Sequence, residues 1–425
     1  MPRHGATRID DLYSIDPHLP AFDERNIMFR RALWDSPIMD RARLQDNALT
    51  NHIVRGRPGF SDLDYALMTA AWSVVEATNT DTGIGARSGL YVNRTASHPA
   101  HATGSGLPAP RPLPPAEATR LVKKVARYLG ADLVGITETD PRWFYSRWFS
   151  RQGEGRIEFP SSRDAAGLDA DAAGPGADAT GPGADAAGLD ADAAGTFHIP
   201  AGMKWVIVVA VRQDIATTRG GSTLLAGAAT GQGYLKMALV THALAEFLAA
   251  LGYQALPSGN DLALSEPLAI AAGLGELGRN GLLVTPGYGP NVRLAKVFTS
   301  LPLAADRPRD FGVRKFCRVC KKCADHCPSK AIANGEMTRE PACPSNNPGV
   351  LKWPVDVERC YKFWNVNGSG CSTCVAVCPY TKDSAHHWHH ALAARLAPVA
   401  PRVLVWLDDL LGYGVSRPGD WWGER

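Results

Sequence analysis

No run of apolar residues in this 425-residue chain approaches the roughly 20 that a membrane-spanning helix needs. The longest candidates, Trp205 to Val211 and Met237 to Leu251, are too short, and the second carries His242 and Glu246. Nor does one sign of charge prevail. With 45 Lys and Arg against 42 Asp and Glu, the net charge of +3 suits neither a nucleic-acid coat nor an acidic solvating chain. Cysteine is missing upstream of Cys317, and all nine lie between Cys317 and Cys378. The opening MPRHGATRID has no apolar segment and no twin-arginine motif ahead of one, which predicts a cytoplasmic chain.

What is present is an ordinary globular composition, 45% hydrophobic and 20% charged, which excludes collagen-like and wholly disordered chains. The length allows two or three packed units. One segment departs from the average. From Asp164 to Gly195 only Asp, Ala, Gly, Leu, Pro and Thr occur, with seven Asp, and DAAGLDADAAG at Asp164 returns letter for letter at Asp185. Such a repeat lacks the apolar area to fold and reads as a disordered acidic insert. The rest of the chain carries 45 basic against 35 acidic residues, near +10.

Eight cysteines fall into two runs. Cys317-x2-Cys320-x2-Cys323-x3-Cys327-Pro328 is the bacterial ferredoxin spacing for a cubane iron–sulfur cluster, in which the fourth thiolate reaches the other cluster. Cys360-x10-Cys371-x2-Cys374-x3-Cys378-Pro379 repeats the logic with its first ligand displaced upstream. Crossing the distal cysteines over predicts one [4Fe-4S] cluster on Cys317, Cys320, Cys323 and Cys378 and a second on Cys327, Cys360, Cys371 and Cys374. Zinc would use separated CxxC pairs, and a disulfide scaffold would be short and secreted, so both are weaker readings. Cys343 is left as a plain thiol. Arg318, Lys321, Lys322 and Lys330 read either as a solvated surface or as compensation for cluster charge that draws an acidic electron donor.

Upstream, the sequence reads as α/β. Pro114-Pro115 leads into an amphipathic helix with Leu121, Val122, Val125 and Leu129, closed by Gly130. A strand follows near Leu133 to Thr137, and Trp205 to Val211 is a continuous apolar run suited to a strand covered on both faces. Tyr234 to Leu251, stopped by Gly252, reads as the longest helix. Gly273, Gly275 and Gly278 satisfy GxGxxG, but SEPLAIAA before them is helix-like and NGLLVTPG after them strand-like, the reverse of a dinucleotide site. These glycines are expected instead to let the backbone approach another large, flat ligand. HHWHH at His386 to His390 reads as surface or packing rather than a metal site, and RWFYSRWF at Arg142 to Phe149 as core or pocket lining.

GYQALPSGND (Gly252 to Asp261), AGLGELGRNGLLVTPGYGPNVRLAKVFTSLPL (Ala272 to Leu303), FCRVCKKCADHCPSKAI, NNPGVLKWPVDVERCYKFW and CSTCVAVCPYTK resemble corrinoid-dependent reductive dehalogenases. FDERNIMFRRA and VLVWLDDLLGYG resemble the family's termini, and the usual export leader is missing. The resemblance implies a nitroreductase-like α+β/α/β domain holding base-off cobalamin beside a two-[4Fe-4S] ferredoxin-like domain. The expected divisions are an N-terminal extension over 1–113, a cobalamin-binding domain over 114–305 with the insert at 164–195, a ferredoxin-like domain over 306–385 and a tail over 386–425. No D-x-H-x-x-G occurs, and His18 and His326 lack its spacing, so no histidine ligand to cobalt is expected.

The family's active-site positions match Tyr234 as proton donor, with Asn260 and Arg293 beside it, and the corrinoid contacts are expected at Gly273, Gly275, Gly278 and Gly281. Electrons would pass through the clusters to Co(I), halide would leave, and the phenol would supply a proton while Arg293 stabilises the phenolate. The substrate implied is a small organohalide. The donor implied is a low-potential ferredoxin, flavodoxin or quinol chain, with association to a membrane through a small anchor protein and no nucleic-acid partner. Two rivals are an epoxyqueuosine-reductase-like enzyme acting on tRNA and a non-enzymatic iron–sulfur electron carrier.

Overall fold

The structure, a computed structural model, describes residues 8–42, 44–78, 112–150, 153–159, 195–200, 202–382, 386–416 and 421–423. Apart from Gly195, the acidic repeat lies outside the described residues.

Helix α1 spans Asp62–Thr78 and α2 Pro115–Tyr128. Proline opens α2 at a position whose N–H has no helical partner anyway, and Ala118, Val122 and Ala126 share its fully buried face. Gly130, at φ +111°, turns the chain into β1 (Leu133–Glu138) in a conformation other residues rarely adopt. Strands β2 (Arg147–Phe149), β3 (Glu154–Glu158) and β4 (Phe197–His198) form a small side sheet.

The central sheet has the order β1-β5-β9-β6, with β5 at Trp205–Arg212, β6 at Ala255–Ser258 and β9 at Val292–Thr299. Each of its three ladders is antiparallel, so the α+β side of the expected class describes it better than α/β. The apolar run in β5 has the reason inferred from sequence. Ile207, Val209 and Val211 meet the face covered by α2 and by α3 (Leu224–Ala250), while Val206, Val208 and Ala210 meet the opposite core with Phe144, Leu268 and Phe298. Ile9, Tyr13, Leu19 and Phe22 of the N-terminal stretch join that second core.

Helix α3 begins ten residues before the expected start at Tyr234. Gly227, Gly231 and Gly233 hid its first turns, because glycine weakens a helix by about 1 kcal/mol per position. Each pays for a close approach: a Cβ on Gly227 would lie 3.0 Å from Met68 Sδ, on Gly231 2.8 Å from the Trp72 ring, and on Gly233 2.8 Å from Arg293 Cγ. Tyr234 is therefore mid-helix.

Beyond β6, α4 (Ser265–Ala271) and the hairpin of β7 (Glu276–Leu277) and β8 (Leu283–Val284) follow the helix-then-strand order expected around the glycines. The cysteine-bearing half contains α5 (Val313–Val319), α6 (Val357–Asn367), α7 (Trp388–Leu396) and α8 (Pro401–Leu410). Asp408 of α8, 2% exposed, accepts from Lys322 Nζ at 2.6 Å and also from Lys382. Lys322 is thus a buried tie to the C-terminal helix and not a solvated surface charge, one of the two readings open from sequence, since an ammonium taken out of water must find a carboxylate. Among the described residues no helix is long and apolar enough to cross a membrane.

Candidate active site and metal centres

Three distant segments converge on Tyr234. Asn260, in the loop after β6, donates from Nδ2 to the Tyr234 hydroxyl at 2.7 Å. The Arg293 guanidinium, from β9, lies 5.0 Å from the ring centroid, within cation–π range. Trp72 of α1 packs on the same ring with centroids 5.3 Å apart. Arg293 Nη2 donates to Thr230 Oγ1 at 3.1 Å, one helical turn from Tyr234, while its buried Nε finds no partner among the described residues. The structure therefore brings together all three side chains expected at the active centre and adds Trp72, which sequence reasoning missed. Because Asn260 donates to the phenol oxygen, the phenol's own O–H is left to donate elsewhere.

The Asn260 loop is tightly built. Ser258 Oγ donates to Asp261 Oδ1 at 2.9 Å, the Gly259 amide donates to the same oxygen at 3.0 Å, and Tyr145 OH donates to the Asn260 carbonyl at 3.2 Å. Most of RWFYSRWF is core: Trp143, Phe144, Tyr145 and Trp148 are each no more than 5% exposed.

The glycines expected to cradle a ligand mostly do not. A Cβ on Gly273 would meet the Arg307 carbonyl at 2.5 Å, on Gly275 the Val284 carbonyl at 2.5 Å, and on Gly278 Asn280 Oδ1 at 2.8 Å, so these three accommodate the chain's own backbone and neighbouring side chain. Gly281 alone of the four lines a cavity of about 260 Å³, together with Tyr13, Trp143, Ile270, Asn347, Lys352 and Trp353. Three lining residues carry buried polar atoms with no partner among the described residues: Trp143 Nε1, Trp353 Nε1 and Asn347 Oδ1. Two donors and an acceptor without partners thus belong to the residues of one largely apolar cavity wall.

The charged members of the same segment do the connecting. Glu276 Oε2 accepts from the Phe311 and Val313 amides at 2.6 and 3.0 Å, capping the helix that carries Cys317. Arg279, 2% exposed, donates to the carbonyls of Cys317 at 3.1 Å and Ala333 at 2.7 Å, and its guanidinium lies 4.5 Å over the Trp353 ring. It spans from the cysteine motif to the cavity wall. Its only sequence signal was a charge inside a glycine-rich run.

The thiols sort into two groups by the fields they exert on one another. Cys378 feels Cys317, Cys320 and Cys323, while Cys360 feels Cys371 and Cys327. Cys374 feels Cys371, Cys360 and Cys327, and also Cys323, which sets the groups side by side. The crossed ligand sets expected from the spacing would draw on these same neighbours. Burial pushes Cys320 up to about 11 and Cys317, Cys323 and Cys360 up to about 12. Burial also raises Cys327, but hydrogen bonds from Ser329 and the Ala331 amide outweigh it and hold that thiol below its usual value. Buried thiols held close without a disulfide fit a polynuclear cluster, whose charge offsets the thiolates. Among the described residues no three His, Cys, Asp or Glu converge on a single ion, as thiolates gripping the corners of a larger body would not. His386, His387 and His389 are exposed, and Cys343 lies apart with its Sγ 3.6 Å from Asn346 Oδ1.

Residues 316–381 match the 4Fe-4S double cluster binding domain family. Over 305 residues the chain is 42% identical to tetrachloroethene reductive dehalogenase of Desulfitobacterium hafniense, an alignment covering 70% of this chain and 54% of that protein. The chain thus spans about half the length of such curated relatives. A solved reductive dehalogenase structure, described as suggesting a mechanism for B12-dependent dehalogenation, shares the fold with a TM-score of 0.63 at 21% identity, covering 97% of this chain and 49% of that one. Epoxyqueuosine reductase of Lactococcus garvieae (strain Lg2) is a more distant relative, 33% identical over 144 residues, 33% of this chain and 38% of that protein.

Proposed function

From its homology to reductive dehalogenases, we propose that this chain reductively removes halogen from a small organohalide, of which chlorinated alkenes are the first class to test. The observation that carries this reading is the Tyr234–Asn260–Arg293 constellation in a chain that also carries a double-cluster cysteine framework. The reaction consumes two electrons and one proton: R–Cl becomes R–H and chloride leaves. A low-potential protein donor would deliver the electrons, and an anchor protein would bring the chain to a membrane.

Cys317, Cys320, Cys323 and Cys378 would ligate one [4Fe-4S] cluster and Cys327, Cys360, Cys371 and Cys374 the other. A corrinoid, when bound, supplies the low-valent cobalt that reduces the carbon–halogen bond. Its carboxamide-fringed periphery would be sought at the cavity lined by Trp143, Asn347 and Trp353, whose orphaned polar atoms lie in its wall. Tyr234 gives its hydroxyl proton to the substrate carbon. Asn260 Nδ2 holds the phenolate oxygen from the other side, and Arg293 places a positive charge over the ring that has become anionic.

The test is chloride release from tetrachloroethene with reduced viologen as donor, in the wild type and in Tyr234→Phe. The wild type should turn over, and the variant should lose on the order of 100-fold or more in kcat at unchanged iron content. Full activity in the variant would remove the proton-donor assignment. No turnover of any haloalkene or haloarene by a cluster- and corrinoid-replete wild type would remove the function itself.

A further inference from the structure

Lys296 has no part in the chemistry above, yet it is the most conspicuous polar group in the interior. Its side chain is fully buried in β9. Arg293 and Lys296 lie on opposite faces of that strand, and Leu294 and Phe298, on the Lys296 face, belong to the apolar core below the sheet. Burying an ammonium there is costly unless it is closely bound. Its Nζ donates to the Gly259 carbonyl at 2.6 Å and to Ser265 Oγ at 3.0 Å. Those two partners bracket the loop that presents Asn260.

The loop needs holding. Leu262 sits at φ +63°, a left-handed conformation that costs a non-glycine residue about 1–2 kcal/mol. It persists only because surrounding contacts fix the turn. We propose that Lys296 is a positioning residue: by fastening the Gly259 carbonyl to the start of α4, it sets Asn260 so that Nδ2 reaches the Tyr234 hydroxyl. This deepens the dehalogenase reading and rests on it for its effect on turnover, but not for its effect on the Asn260–Tyr234 contact.

The experiment is a double-variant cycle on the reconstituted enzyme, with 3-fluorotyrosine placed at position 234 as a second readout. Lys296→Met should lower kcat about 10-fold or more with KM changed by less than about 3-fold, and Asn260→Ala should do the same. Because Lys296 acts through Asn260, the double variant should be no worse than Asn260→Ala alone, within about 2-fold. The ¹⁹F resonance should move in the same direction in both single variants. Multiplying losses in the double variant, or an unmoved resonance in Lys296→Met, would overturn the proposal. Should Lys296→Met fail to fold, Ser265→Ala removes the Ser265 hydroxyl alone and should reproduce the resonance shift at smaller amplitude. An unmoved resonance there overturns it equally. If the protein proves not to be a dehalogenase, the resonance arm still decides whether Lys296 positions Asn260.

Discussion

The cysteine-bearing half and the sheet-bearing half of this chain put their functional groups together in opposite ways. In the first, eight thiols are gathered from two runs of chain, each containing a Cys-x2-Cys pair and closed by Cys-Pro, with Cys360 displaced upstream in the second. In the second, Trp72, Tyr234, Asn260 and Arg293 come from two helices, a loop and a strand spread over more than 200 residues of sequence. A centre built by local spacing keeps its geometry wherever the segment docks. A centre built by packing depends on the sheet, on the glycines of α3 and on buried clamps such as Lys296.

The largest effect expected from this contrast is in metal content. Cys374→Ser should lower iron from about eight to about four per chain while leaving the Tyr234 site folded. Iron analysis with a near-UV circular dichroism control checks it, and collapse of both halves together would show that they are not separable. Next, Arg279→Met should test a buried cation that joins the halves. Removing a buried positive charge beside the Cys317 thiolate makes reduction harder, so the midpoint potential of that cluster should fall by on the order of 100 mV in an EPR-monitored titration. An unchanged potential would leave Arg279 as a purely structural tie.

The smallest effect belongs to the sheet half alone. Burial pushes the Glu24 carboxyl up to about 7 from 4.5, against the pull of Arg30, which donates to it at 3.0 Å. A carboxyl raised in the folded state binds a proton that the unfolded chain has released. Its contribution is therefore fully present below about 4.5 and is lost as pH rises through about 7. Relative to Glu24→Gln, the wild type should lose roughly 2–3 kcal/mol of unfolding free energy between pH 4.5 and pH 8 in denaturant titrations. A parallel pH dependence in the two proteins would contradict the burial argument.

The same contrast explains what could be read from the sequence. Ligand spacing in the cysteine runs needs only local chain geometry, so the double-cluster domain was legible there. The doubly covered strand at Trp205–Arg212 was legible because both of its faces are apolar. Tyr234, Asn260 and Arg293 were reachable only through family resemblance, since nothing in their local sequence distinguishes them from a helix aromatic, a turn residue and a strand charge. The start of α3 was obscured by glycines whose reason lies in Trp72 and Arg293, far off in sequence. Gly273, Gly275 and Gly278 misled for a related reason: a glycine admits a backbone as readily as a ligand. Lys322 looked like surface because Asp408, its partner, lies 86 residues away.

Iron and cobalt per chain, measured after anaerobic reconstitution with cobalamin, tests the central claim most directly. The account predicts about eight iron and one cobalt. Eight iron with no cobalt would contradict it, leaving the Tyr234 site without its reductant and the chain as an electron carrier.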